Sequence, residues 1–244
     1  MLRRLYILLF AVSGLLSVTG CAVYSSQLAD VAVLEEKGDA QVSANFGAFS
    51  GLGASATYAA TDHVAVQASG AFVPNEPYDQ NDLRVSAGYY NAFKNHTMLA
   101  LYAGYDLGTN FYKADRELTN GYKRIRYHYN YDMPMLQLDY GIRPAKWFEC
   151  GIRLTGGYMW ATLEKHTIEE NSEGIPGPES ITHENTRGML LEPALVLRLG
   201  CNNLKFDIKG SLTLYPNENN FYYNEMNVGI GISYRFNPMK KKYF

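Results

Sequence analysis

Residues 227–236, NVGIGISYRF, put an apolar side chain at every second position: Val228, Ile230, Ile232, Tyr234 and Phe236. Asn227, Gly229, Gly231, Ser233 and Arg235 fall between them. A two-residue period is the mark of a strand with one apolar face and one polar or glycine face. The same signal recurs along the chain. It begins with Val42, Ala44, Phe46 and Ala48, and then with Leu52, Ala54, Ala56 and Tyr58. Further runs start at Val64, Leu83, Leu99, Leu136, Phe148, Met189 and Leu204. Ten strands of one kind are predicted, with eight as the alternative if two pairs of runs merge. Pro193 interrupts the eighth run, and a β-bulge is expected there because proline cannot donate to a ladder. In the sixth, Tyr127, Tyr129 and Tyr131 share the parity of polar Gln137 and Asp139. Either they lie on an extended hairpin or a bulge near Pro134 flips the faces.

The connections alternate as well. Those around 61–62, 94–95, 144–145 and 202–203 are short, whereas 74–82, 110–126, 164–188 and 216–225 read as long polar loops. Only the first connection on the long side, at Ser50-Gly51, is tight. Long loops on one side and short turns on the other are what an up-and-down membrane barrel shows, with an even strand number placing both ends of the sheet on the short-turn side. The charged residues fall on the parity opposite the apolar one: Arg84, Asp139, Glu149, Arg153, Glu192, Arg198, Lys205, Asp207, Lys209 and Arg235, with Gln137. Charges of both signs can pair inside one enclosed space, whereas on a soluble sandwich they would only be solvated. The fold class expected is therefore all-β, a closed antiparallel up-and-down transmembrane barrel, with the β-sandwich as the competing architecture.

The chain begins with two arginines and an apolar run at 5–16, too short for a membrane span and typical of a secretory signal. Val18-Thr19-Gly20-Cys21 resembles the lipobox of bacterial lipoproteins, which implies cleavage before Cys21 and lipidation of its thiol. Ala22, rather than aspartate, follows it, which leans toward the outer membrane. The final strand in turn resembles the terminal strand of bacterial outer-membrane barrels, with Gly231, Tyr234 and Phe236 matching the pattern that the barrel-assembly machinery recognises. The resemblance is to small outer-membrane β-barrels of Gram-negative envelopes. It divides the chain into a removed signal peptide (1–20), a lipidated tether (21–38) leading to the first strand and open to a role as periplasmic plug or cap, a barrel (39–237) and a short basic tail (238–244). Outer-membrane lipid and the assembly machinery are the implied partners, a monomer the implied state, and an extracellular partner at the loops an open place.

Chemistry is hard to find. A net charge of −2 implies no bulk attraction to nucleic acid. The 20 tyrosines against 2 tryptophans suit a membrane interface, where an apolar ring keeps its hydroxyl wet. Cys150 and Cys201 share the outward parity on neighbouring strands, open to a cross-strand disulfide or to packing alone. His166 and His183 share a segment with Glu164, Glu169, Glu170, Glu173, Glu179 and Glu184, in a spacing that reads as a solvated acidic loop and not as a metal site. Lys113, Arg116, Lys123, Arg124 and Arg126 precede it, and the two oppositely charged segments are expected to lie together over the mouth. No nucleophile constellation and no cofactor signature is legible. Ten strands also occur in omptin-type proteases, but their aspartate and aspartate–histidine pairs cannot be placed here, and strand number alone is not activity. The expected function is that of a non-enzymatic envelope barrel of structural or surface-interaction type with a charged, plugged lumen. A narrow solute channel is the first alternative and a rim-located enzyme the second.

Overall fold

The computed structural model describes residues 24–75, 78–118, 121–171, 177, 179–201, 203–215, 223 and 225–239. The alternating runs become ten strands: β1 (Ala40–Gly47), β2 (Gly51–Ala59), β3 (Val64–Asn75), β4 (Tyr78–Phe93), β5 (Thr97–Leu118), β6 (Gly121–Ala145), β7 (Phe148–Asn171), β8 (Ser180–Cys201), β9 (Leu204–Leu212) and β10 (Met226–Phe236). Each pairs antiparallel with its neighbours in sequence, and β1 pairs with β10 to close the barrel. Closure removes the free edges that an open sheet would have to protect. At the seam Ala40 lies opposite Phe236 and Gly47 opposite Gly229. Both ends of the sheet therefore lie beside the β2–β3, β4–β5, β6–β7 and β8–β9 turns, here called the turn end. The other rim is the hairpin end.

The outward parity is apolar. Val85, Leu101, Leu136, Leu138, Ile152, Leu195, Ile208 and Ile232 are exposed around its middle. Aromatic side chains flank them, with Tyr89, Phe93, Tyr140, Trp147, Tyr234 and Phe236 near the turn end and Phe46, Phe72, Tyr105, Tyr158 and Trp160 toward the hairpin end. An apolar band between two aromatic girdles is the exterior that a bilayer requires of a barrel.

Two expectations change, and one left open is decided. The segments read as long loops at 74–82, 110–126 and 164–188 are mostly strand. β5 to β8 run for 22, 25, 24 and 22 residues, against 8, 9, 9 and 11 for β1, β2, β9 and β10. The burial pattern of β8 explains the error: Ser180–Asn185 is exposed on both faces, and alternation begins only near Gly188. A sheet wetted on both faces carries no two-residue period. Second, no bulge forms at Pro193, which keeps register with Leu154 of β7. Leu191 directs its N–H to Leu214, so the nitrogen of Pro193, two residues on, faces β9 as well. There the β8–β9 ladder is broken between the Leu191–Leu214 bridge and the Ala194–Ser211 pair. Third, β6 keeps one parity throughout. Tyr129, Tyr131, Met133, Met135, Gln137 and Asp139 are all buried, as the extended-hairpin alternative requires. The β6–β7 irregularity lies between Ile142 and Ala145 instead.

The segment expected as a tether, with a periplasmic plug or cap as its further role, fills the lumen itself. Residues 24–34 are all buried. Tyr24 forms a parallel bridge with Tyr223 in the β9–β10 connection, at the hairpin end. Leu28 packs at Gly47 and Gly229, the hairpin-end residues of the seam. Asp30 hydrogen-bonds Ser55 and Gln41 at mid-barrel, and Glu35 reaches His96 and Arg143 at the turn end. The chain thus runs the whole lumen before it turns back at Gly38 (φ 86°) into β1. The signal peptide and Cys21 lie outside the described residues, as does the tail beyond Met239.

The seam leaves little room at Gly231, where an added Cβ would meet the Ala44 carbonyl oxygen at 2.7 Å and the Asn45 Cβ at 3.0 Å. Gly231→Leu is expected to lower stability by about 1–3 kcal/mol through overpacking. Ile232→Leu, on the exposed face of the same strand, is expected to be near neutral. The urea midpoint of the heat-modifiable folded band measures both.

Candidate functional site

An extended segment inside a barrel has no ladder for its carbonyls, and buried carbonyls must find donors. Here the wall supplies them. Gln80 donates to Ser25 O at 3.1 Å and Asn227 to Ser26 O at 2.7 Å. Further down, Arg153 donates to Asp30 O at 2.7 Å, Arg198 to Val31 O at 2.5 Å and Arg235 to Val33 O at 3.0 Å. Five donors from β4, β7, β8 and β10 thus hold the plug along its length.

The wall charges are arranged by strand register. Arg84 lies opposite Asp106, Asp139 opposite Arg153, Glu149 opposite Arg198, and Arg198 opposite Asp207. Directly opposed residues on one face are the closest cross-strand neighbours, so opposite charges there pair. Arg153 grips Asp139 through Nε at 2.8 Å and Nη2 at 2.7 Å. Arg198 reaches Asp207 at 3.5 Å and Glu149 at 3.8 Å. Lys205 and Arg235 also approach Glu149, at 3.6 and 4.0 Å. This lower group is rich in cations, and Asp30 of the plug enters it. The Asp30 carboxylate pairs with Arg198, lies 3.7 Å from Lys209 Nζ, and accepts hydrogen bonds from Gln41 and Ser55.

A second group lies nearer the hairpin end. Arg84 contacts Asp106 at 2.5 Å and Glu192 at 3.0 Å, and the Tyr24 hydroxyl donates to Glu192 at 2.6 Å. The Tyr131 hydroxyl donates to Asp82 at 2.7 Å, and its ring meets Tyr24 edge-on at 5.1 Å. Tyr129, Met133, Met159, Leu190 and Tyr215 pack around these rings and cover the charged group from above. Below, Val31, Val33 and Leu34 pack with Tyr90, Met98, Tyr102 and Val196, so one side of the plug is apolar and the other is gripped by charge. Between the layers a void of about 10 Å³ remains, lined by Asp30, Gln67, Arg84 and Arg153, room for about one water.

All ten charges assigned to the inward parity from sequence point into the lumen, and Arg235, the most accessible, is only 18 % exposed. Asp30, Tyr24, Asp82 and Asp106 complete the groups and were not singled out. Asp106 shares the inward parity of β5 and was available to that reasoning. For Asp30 the signal was present in another form: residues 28–34, LADVAVL, put one carboxylate in an apolar run, unlike a solvated linker.

Beyond the lumen, β5 to β8 continue as a sheet wet on both faces. The basic and acidic segments meet there by strand pairing, not as loops over the mouth: Lys123 lies opposite Glu169, and Arg126 opposite His166. Arg116, Asp115, Glu117, Glu169 and Glu170 are described in their backbone alone, and Glu173 lies outside the described residues. Tyr112 stacks with Tyr127 at 6.0 Å, and Lys165 Nζ sits 5.7 Å from the Tyr127 ring centre. His166 lies between Glu179, 2.8 Å from Nδ1, and Glu164, 2.9 Å from Nε2. Those two hydrogen bonds raise its pKa above the ordinary value. Among the described residues no group of three or more histidine, cysteine or acidic side chains is placed to hold a metal ion. The cross-strand disulfide is excluded. Cys150 lies opposite Leu197, four residues from Cys201, about 13 Å at ~3.4 Å per residue and beyond disulfide reach.

No family model matches the chain, and no curated protein does. Among solved structures it is similar to the crystal structure of Ail, the attachment invasion locus protein of Yersinia pestis, at 13 % identity. The match covers 82 % of this chain and 99 % of that one, with a TM-score of 0.34. The barrel stands on its own strand pairing.

Asp30→Ala leaves Arg198 and Lys209 buried with part of their counter-charge removed. It is expected to destabilise the protein by about 3–5 kcal/mol in urea titration, the usual cost of breaking one side of a buried pair. A separate outcome concerns His166. Because its folded-state pKa is raised, the imidazolium tie to Glu164 and Glu179 is fully present below the ordinary value of 6.5 and is lost as pH climbs through the higher folded value. The ring protons of His166, followed by NMR, are expected to titrate above that value, and Glu179→Gln is expected to bring the midpoint down.

Proposed function

We propose that this protein is a lipid-modified integral barrel of the bacterial outer membrane, non-enzymatic, with a sealed lumen and an interaction surface on the projecting β5–β8 sheet. The observation that carries this reading is the plug. A lumen filled from end to end by residues 24–34 is built for rigidity and not for passage. The exterior supports the membrane location. Leu136, Met189 and Leu204 are more than half exposed, as are Ile152 and Ile232, which water would not tolerate around a whole molecule but lipid accepts. A spanning strand needs about 9–11 residues. β1, β2, β9 and β10 stop near that length, whereas β5 to β8 exceed it twofold. With short turns facing the periplasm, the excess stands on the cell surface.

The narrow-channel alternative requires a path that the plug occupies. The rim-enzyme alternative requires a nucleophile beside a base, and the described hairpin-end residues supply Glu–His–Glu contacts without one. Acylation of Cys21 follows from its lipobox and adds about 0.8 kcal/mol of anchoring per buried methylene. The strands embed the protein without it.

Three measurements test the reading. After alkaline carbonate extraction of outer membranes, wild type and Cys21→Ala are both expected in the pellet. Recovery of folded Cys21→Ala in the supernatant would overturn the barrel's membrane location. In planar bilayers the purified protein is expected to pass no steady current, and a stable conductance would restore the channel. On the belt, Leu138→Arg is expected to cost about 2–4 kcal/mol for folding into phospholipid vesicles.

A further inference from the structure

The plug has a direction, and it runs opposite to that of a simple tether. Descending from Tyr24, it passes Leu28 beside Gly47 and Gly229, Asp30 at mid-barrel and Val33 at Arg235, and reaches Glu35 at the turn end. The residues before Tyr24 therefore start from the hairpin end. Cys21 is three residues upstream, a reach of about 10 Å at ~3.3–3.6 Å per residue. The turn end is eleven residues of extended chain away, and the lumen between is filled by that same chain. No route brings Cys21 back to the turn end.

We infer that the mature N-terminus emerges through the barrel onto the outer face of the membrane, where the acyl chains on Cys21 enter the outer leaflet. This rests on the orientation proposed above, with the turn end in the periplasm. The rim is shaped for such an exit. β5 to β8 stand tall, but β9 ends at Leu212, β10 begins at Met226, and β1 and β2 turn over at residues 48–50. Tyr24 is bridged to Tyr223 on this side, where the strands of the wall are shortest. The partner of the N-terminus is accordingly a lipid surface, that of the outer leaflet.

Impermeant thiol labelling in Gram-negative cells tests this. In the full chain with Cys150→Ala and Cys201→Ala, both outside the lumen, single cysteines are introduced as Val23→Cys, Lys37→Cys and Asn185→Cys. A maleimide that cannot cross the outer membrane is applied to intact and to permeabilised cells. Val23→Cys is expected to label on intact cells as fully as Asn185→Cys on the projecting sheet, and Lys37→Cys only after permeabilisation. Labelling of Val23→Cys only after permeabilisation would overturn the inference, as would its failure to label in either state. Carbonate extraction of the same cells separates this from failure of the barrel reading: loss from the pellet sinks the membrane location, whereas retention with inverted labelling sinks the threading alone.

Discussion

Everything in this barrel depends on how an extended segment is accommodated in a closed lumen. A free strand brings carbonyl groups that cannot be left bare, and a lumen of paired charges brings cations that cannot be left uncompensated. Each solves the other's problem. Arg153, Arg198 and Arg235 complete the carbonyls of Asp30, Val31 and Val33, and the Asp30 carboxylate in turn serves Arg198 and Lys209. The wall register prepares this arrangement, since Glu149, Arg198 and Asp207 form one row across β7, β8 and β9.

The glycines of the wall fit the same account. A Cβ on Gly151 would stand 2.6 Å from the Val31 Cβ, so the plug and β7 touch where only glycine allows it. Contact at that spacing, with apolar packing on one flank and ion pairs on the other, makes plug and barrel one packed unit. The projecting sheet is different in kind. Its two wet faces add no core, so its stability rests on strand pairing, on contacts such as Tyr112–Tyr127 and on the His166–carboxylate ties.

Much of this was legible in the sequence because a barrel wall is a strict two-sided object. Every spanning strand alternates, and the parity of Val85 against Arg84, or of Ile208 against Asp207 and Lys209, pointed to strand number, closure and lumenal charge together. Legibility failed where the two-sidedness fails. Ser180–Asn185 is wet on both faces and read as loop, while residues 24–34 are buried all round and read as a tether. Pro193 misled for another reason. The absence of a donor was certain, but which neighbour would feel it depended on strand order and hydrogen-bond direction, and β9, not β7, felt it.

The measurement that addresses the central claim most directly is a cross-link between plug and wall. Ser26→Cys with Ser211→Cys, in a chain carrying Cys150→Ala and Cys201→Ala, puts two thiols where the plug and β9 hydroxyls already lie 2.7 Å apart. Mild oxidation in native membranes, followed by mass spectrometry of the digest, is expected to find the plug peptide disulfide-linked to the β9 peptide in most of the folded protein. An unlinked pair, with the Ser26→Cys thiol open to aqueous reagents, would mean that residues 24–34 do not fill the lumen, and the sealed barrel would be the wrong account.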